Sequence, residues 1–159
     1  MMFKQLTALA ALSLLAACAT APSAYGPSAG PGDPGFSQTQ IENTRFRVTY
    51  TGTSGDSMQR VQDFALVRAA ELTLERGHEW FIVTNRHATK SRAGGTGLSI
   101  GAGFGGGGSG FGLGANRSFS GRAETEASLE IVLGSGSIPN NGNAHDARAV
   151  LLNLRPASI

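Results

Sequence analysis

A single cysteine in 159 residues leaves this chain without any possible intramolecular disulfide. Charge is sparse and nearly balanced: 13 Lys and Arg against 11 Asp and Glu. No cluster of cations forms the basic footprint by which proteins grip nucleic acid. The sequence pI of 9.1 overstates the basicity, because Lys4 lies in a segment expected to be removed. No apolar run reaches the roughly 20 residues that a transmembrane helix needs. His78, His87 and His145 have no metal-ligand spacing, and no second cysteine could complete a site. There is no Gly-x-Ser-x-Gly nucleophile elbow. A glycine-rich phosphate loop needs a helix, and usually a lysine, directly after it. Here Gly114 leads into Ala115-Asn116-Arg117 and a further strand pattern. No constellation here amounts to an active site and no cofactor is implied, so a non-enzymatic role is expected. A hydrolase acting on peptidoglycan or lipid is a further class, to which no residues are assigned.

What is present begins with the N-terminus. Lys4 precedes an apolar stretch from Leu6 to Ala17, the layout of a signal peptide rather than a membrane span. Leu15-Ala16-Ala17-Cys18 then resembles the lipobox of bacterial lipoproteins. Small residues let the peptide lie extended in a protease, and the thiol is the nucleophile that accepts diacylglycerol. The resemblance implies cleavage between Ala17 and Cys18, followed by acylation of Cys18. The alternative is ordinary signal cleavage with Cys18 as a bystander. Several acyl chains, at about 0.8 kcal/mol per buried CH₂, give a lasting anchor. Ala19 stands where an aspartate would favour the inner membrane, so a Gram-negative host would place the protein on the inner leaflet of the outer membrane, facing the periplasm. Residues 18–40 are rich in Pro, Gly, Ser and Ala and are expected to be a flexible tether, spanning about 25 Å as a coil.

Residues 41–156 carry the folding signals. Arg45 to Thr51 alternates around Phe46 and Val48, as a strand does, and Gly52 to Gly55 supply turn residues. Asp56 or Ser57 then suits a helix N-cap. Met58 to Arg76 contains no Pro or Gly and has apolar residues on more than one face, with Gly77 as its C′ residue. Trp80 to Thr84 and Ala123 to Leu133 read as two further strands, and Asp146 to Leu154 as a short helix stopped by Pro156. The expectation is an α+β domain: one small sheet of about three strands, packed by a long helix and a short C-terminal helix.

Several of these segments together resemble an uncharacterised family of proteobacterial lipoproteins. They are Arg45-Phe46-Arg47-Val48-Thr49-Tyr50-Thr51-Gly52, Val67-Arg68-Ala69-Ala70-Glu71-Leu72-Thr73-Leu74, Gly77-His78-Glu79-Trp80-Phe81, and Ala144-His145-Asp146-Ala147-Arg148. An aromatic is expected in place of His145. The likeness spans about residues 36–156 and takes in the lipobox and the glycine stretch. It implies a location and a fold, not an activity.

The glycine stretch is the strongest oddity. Gly94 to Gly114 holds 12 glycines in 21 positions, and no charge falls between Arg92 and Arg117. Leu98, Ile100, Ala102 and Phe104 alternate with small residues, as do Phe111, Leu113 and Ala115 beyond the glycine run. Period two on both sides of a turn suggests a hairpin with an apolar face and a bare one, within an insertion over 94–122. Leu98, Ile100, Phe104, Phe111 and Leu113 are its candidate interaction residues, through which the chain would touch a membrane, an envelope protein or its own copy. Two other readings stay open. Gly97, Gly101 and Gly105 have the four-residue spacing of packed membrane helices, although each glycine costs a helix about 1 kcal/mol. A low-complexity loop is the third.

Arg68 lies within the apolar stripe of the long helix, and a charge there must be paired. Glu71 and Glu75, three and seven residues on, are the available partners, and a structural ion pair of Arg68 with Glu71 is expected. Glu124, Glu126 and Glu130 space out along one strand as its wet side.

Overall fold

The computed structural model describes residues 21–91, 96–105, 108–117 and 124–154, giving the backbone alone for 96–105 and 108–117. The chain is α+β. The strands are β1 (Gly35–Gln40), β2 (Arg45–Thr53), β3 (Trp80–Ser91), β4 (Thr96–Gly105), β5 (Gly108–Arg117), β6 (Glu124–Gly134) and β7 (Ala144–Asp146). Helix α1 (Met58–Glu75) follows β2, and α2 (Ala147–Leu154) follows β7. All seven strands join one antiparallel sheet in the order β1-β2-β6-β3-β4-β5, with β7 paired to β3.

This sheet is larger than the three strands and hairpin that the sequence suggests. β1 adds an edge whose Gly-Phe-Ser-Gln-Thr-Gln sequence offers only Phe36 as an apolar inward residue. β7 is three residues long, too short for periodicity to register. β3 runs through Ser91 rather than stopping at Thr84, because a bulge between Val83 and Asn85 shifts the register against β6. The shift leaves Ala88 buried while Arg86 and Lys90 flank it, so the inward row of the second half no longer looks apolar.

The sheet is two-faced. Along β6 alternate residues are buried, including Ala127, Leu129, Ile131 and Leu133. Phe46, Val48 and Tyr50 of β2 and Phe81 and Val83 of β3 continue that face. Helix α1 covers it with Val61, Phe64, Ala65, Ala69 and Leu72. Its wide apolar surface follows from contact with the sheet and with α2. Ser57 is the N-cap, its Oγ accepting from Arg60 N–H at 3.1 Å. Gly77 closes the other end at φ +76°, where a side chain would be strained.

β2 continues through Gly52 and Thr53, past the expected start of the turn. A Cβ at Gly52 would lie 2.7 Å from Val61 Cγ2, so only glycine lets the strand pass beneath the helix start. Gly134 is tighter still: a Cβ there would fall 2.1–2.5 Å from three atoms of the Trp80 ring. Gly134→Ala must therefore push out the chain's only tryptophan. The expected result is a loss of about 2–3 kcal/mol, in the range of overpacking penalties. Urea titration followed by Trp80 emission checks it, with a red-shifted native spectrum.

Candidate functional site

Glycine enters strands readily only where bare backbone is useful. Within the glycine-rich stretch, residues 96–105 and 108–117 form two paired strands at one end of the sheet. β4 and β5 pair without a break over ten residue pairs, from Thr96 opposite Arg117 to Gly105 opposite Gly108. Strand pairing over residues 96–105 and 108–117 replaces the packed-helix reading of the glycines. Ile100 lies opposite Leu113 and Ala102 opposite Phe111. Ile100 is also opposite Ala88, which is opposite buried Ala127. The apolar positions thus share the register row of the helix-covered face. The side chains of Leu98, Ile100, Phe104, Phe111 and Leu113, and residues Ala17 and Cys18, lie outside what the structure describes.

The two sheet edges differ. The outer edge of β1 is partly occupied by the chain's own Gly26–Ser28 segment: Phe36 N–H donates to Gly26 O at 2.8 Å, and Ser28 N–H to Phe36 O at 2.9 Å. β5 pairs only with β4 among the described residues. It is long, unbulged and uncharged from Gly108 to Asn116, with none of the lysines, prolines or bulges that usually blunt an edge.

Arg68 is nearly buried, at 9% side-chain exposure. Its Nη1 and Nη2 donate to the two carboxylate oxygens of Glu75 at 2.7 and 2.9 Å, and Nη1 also reaches Glu71 at 3.2 Å. Nε donates to Gln38 of β1 at 2.8 Å, and the guanidinium sits over the Phe36 ring. Burial alone would lower its pKa, but these carboxylate bonds outweigh that and raise it. Glu75 is the principal partner, with Glu71 shared between Arg68 and the Tyr25 hydroxyl at 2.6 Å.

The histidines are dispersed. His78 Nδ1 is 3.2 Å from Ser135 Oγ, and His87 Nε2 is 2.8 Å from Thr89 Oγ1. His145 stacks on Phe81 with ring centroids 5.3 Å apart, taking the place of the expected aromatic. Its Nε2 accepts from Arg86 at 3.1 Å, and burial followed by the Arg86 charge lowers its pKa. The imidazole is therefore neutral and packs as a ring.

The feature that composition conceals is the ordered course of residues 21–40. The expected tether of 18–40 is, from Ala21 onward, packed against the domain. Ser23 is buried at 6% exposure. Its N–H donates to Asp56 Oδ2 at 3.0 Å, and its Oγ pairs with Tyr50 OH at 3.1 Å. Tyr50 OH donates onward to Ala24 O at 3.0 Å, and Thr53 Oγ1 to Ala21 O at 2.9 Å. Tyr25 enters an aromatic group with Phe36, Tyr50 and Phe64, at centroid distances of 5.2–6.1 Å. Asp56 is the hub. Thr53 N–H also donates to its Oδ2 at 2.8 Å. Thr53 Oγ1, whose one proton goes to Ala21 O at the shorter distance, stands 3.1 Å from that Oδ2, and Arg60 Nε lies 3.2 Å from Oδ1. Burial pushes the Asp56 pKa up, but the bonds from Ser23 and Thr53 prevail and hold it below the usual carboxylate range.

A depressed carboxylate pKa contributes stability above the unfolded value, near 3.9, and that stability is lost as pH falls through the lower folded value. The Ser23 amide is therefore expected to stay protected from hydrogen exchange at neutral and mildly acidic pH. Protection should vanish only as pH falls well below about 4. Asp56→Ala should remove it at every pH.

No protein-family model, curated protein or solved structure matches the chain.

Proposed function

We propose that this chain is a lipid-anchored cell-envelope protein whose domain is a non-enzymatic binding module, taking an extended segment of an envelope partner onto the outer edge of β5. The observation that carries the reading is that edge: ten residues, unbulged, uncharged from Gly108 to Asn116, and paired on one side among the described residues. Strand addition uses main-chain hydrogen bonds for affinity and alternate side-chain positions for selection. Glycines at every second position from Gly108 to Gly114 keep one face of the strand low, so that a second backbone meets no side chain there. The lipobox at Leu15–Cys18 supplies the anchor, and outer-membrane sorting follows from Ala19. Nucleic acid has no place in this reading.

A second occupant, a further copy of the chain, is favoured by the symmetry of β5 itself. An antiparallel pair centred on Leu113 sets Phe111 opposite Ala115, Gly112 opposite Gly114 and Arg117 opposite Ser109. Leu113 meets its own counterpart, Phe111 meets a small residue, and no like charges meet.

A photocrosslinking residue at position 113 of the lipidated protein in its own membrane tests both. One defined adduct, identified by mass, is expected, and none from Thr39 on β1. An adduct with another envelope protein supports the first occupant. A homodimer supports the second, formed by strands lying along the membrane or by copies on facing membranes. No adduct from β5 sinks the proposed function.

A further inference from the structure

A lipid on Cys18 and a domain that begins at residue 41 would leave the domain free to tumble at the end of a tether. The packing of residues 21–25 removes most of that freedom. Only Ala19 and Thr20 lie between the cysteine and Ala21. At 3.3–3.6 Å per residue, three steps of chain reach at most about 10 Å. Ala21 is itself bonded to Thr53, the last residue of β2.

From that observation, and resting on the lipidation of Cys18, we propose that the domain is held against the bilayer by one defined end. The sheet register identifies it. Thr53 is opposite Glu124, which is opposite Ser91. Thr96 and Arg117, the start of β4 and the end of β5, lie at the same end, and the Ser54–Ser57 turn leads from it into α1. This row faces the lipid headgroups. The opposite end, carrying Gly77–Glu79, Gly134–Ser137 and the start of β3, faces away from the membrane.

The row suits an interfacial setting. Arg60 and Lys90 stand beside it, Lys90 Nζ 3.4 Å from Asp56 O, and Arg117 occupies a register position in it. Asp56 is turned inward and neutralised by Arg60. Glu124 and Glu126 are the other carboxylates there. Headgroup attraction is not what fixes the orientation, since the charges are mixed. The short link and the Ser23–Asp56–Tyr50 lock do so. The segment from Ala21 to Tyr25 is a strut between the lipid and the core, each residue from Ala21 to Ala24 except Pro22 having a hydrogen bond to the domain.

The test uses the lipidated full chain on vesicles of phosphatidylethanolamine and phosphatidylglycerol. Acylated Cys18 has no free thiol, so an introduced cysteine is a unique labelling site. Ser54→Cys and Ser137→Cys place a donor dye at exposed positions on the two ends, with acceptor dyes on the lipid headgroups. Energy transfer from Ser54→Cys should exceed that from Ser137→Cys several-fold. Inserting twelve Gly and Ser residues between Ala19 and Thr20 leaves the lock intact and should bring the two signals together. Asp56→Ala should do the same by releasing Ser23, and if that variant unfolds the insertion still decides. Equal transfer from both ends of an acylated chain overturns the orientation alone. An unacylated intact mass removes the lipidation reading and the orientation with it.

Discussion

Arg68→Ala is expected to lower the unfolding free energy by about 3 kcal/mol, the lower end of the range for breaking a buried pair by removing one partner. The guanidinium joins three parts of the fold: Glu71 and Glu75 of α1, Gln38 of β1 and, through Glu71, the hydroxyl of Tyr25. Removing it takes the cation from Glu71, whose side chain is 14% exposed and keeps the Tyr25 hydroxyl as a donor, while Glu75 at 52% can regain water. That difference sets the estimate at the low end. Arg68→Lys keeps the charge but cannot fork across both oxygens of Glu75, so it should lose less than alanine without restoring wild type. Arg68→Met, which removes the charge but retains packing over Phe36, should separate the two contributions. Urea midpoints at constant slope are the measurement. Acid should mimic part of the loss. Its hydrogen bond from Arg68 is the main reason the Glu75 pKa is lowered. That contribution is present above the unfolded value of about 4.3 and fades as pH falls through the folded one.

The same residues show how far the sequence could be followed. A cation inside an apolar helix stripe requires partners, and spacing puts Glu71 and Glu75 within reach. Nothing in the sequence points to Gln38, which comes from a strand that composition disguises as linker. The disguise has a physical origin. Residues 21–40 bring little apolar surface, so their order rests on hydrogen bonds to Asp56 and Tyr50 and on the placement of Tyr25 and Phe36. The bonds to Asp56 and Tyr50 join residues more than twenty apart in sequence and leave no periodic trace. Glycine conceals as well. Gly35 adopts φ +131°, with the backbone of Pro27 and Ser28 within 3 Å of where a Cβ would stand. It reads as turn material although it opens β1. By contrast α1 and β6 were legible, because each repeats its pattern over ten residues or more, while the pairing of β4 with β5 was one of three readings that the glycines left open. Asp56 and Ser57 were equivalent as caps in sequence. The structure divides the work, with Ser57 capping the helix and Asp56 holding the N-terminal segment.

Orientation at the membrane bears on which occupant β5 can take. Two copies joined antiparallel through β5, centred on Leu113, point their Thr96–Arg117 ends in opposite directions. Those ends would be about 27 Å apart, eight residues at 3.4 Å each. The link from Cys18 to Ala21 reaches only about 10 Å. Two chains anchored end-on in one leaflet therefore cannot form that pair. Parallel pairing keeps both ends on the membrane, but it aligns Arg117 with its own counterpart and gives up the large-to-small match. The expected result is specific. A soluble chain starting at Ala19 and carrying Leu113→Cys should oxidise to a dimer if β5 recognises its own copy. The lipidated form with the same substitution, on vesicles that display it from one side, should show only background dimer. Efficient crosslinking on the vesicles would mean that the strands lie along the surface, contrary to the end-on arrangement. Dimer in solution alone would confine self-pairing to copies on facing membranes, and dimer in neither would leave β5 to a partner whose orientation is not set by the same lipid.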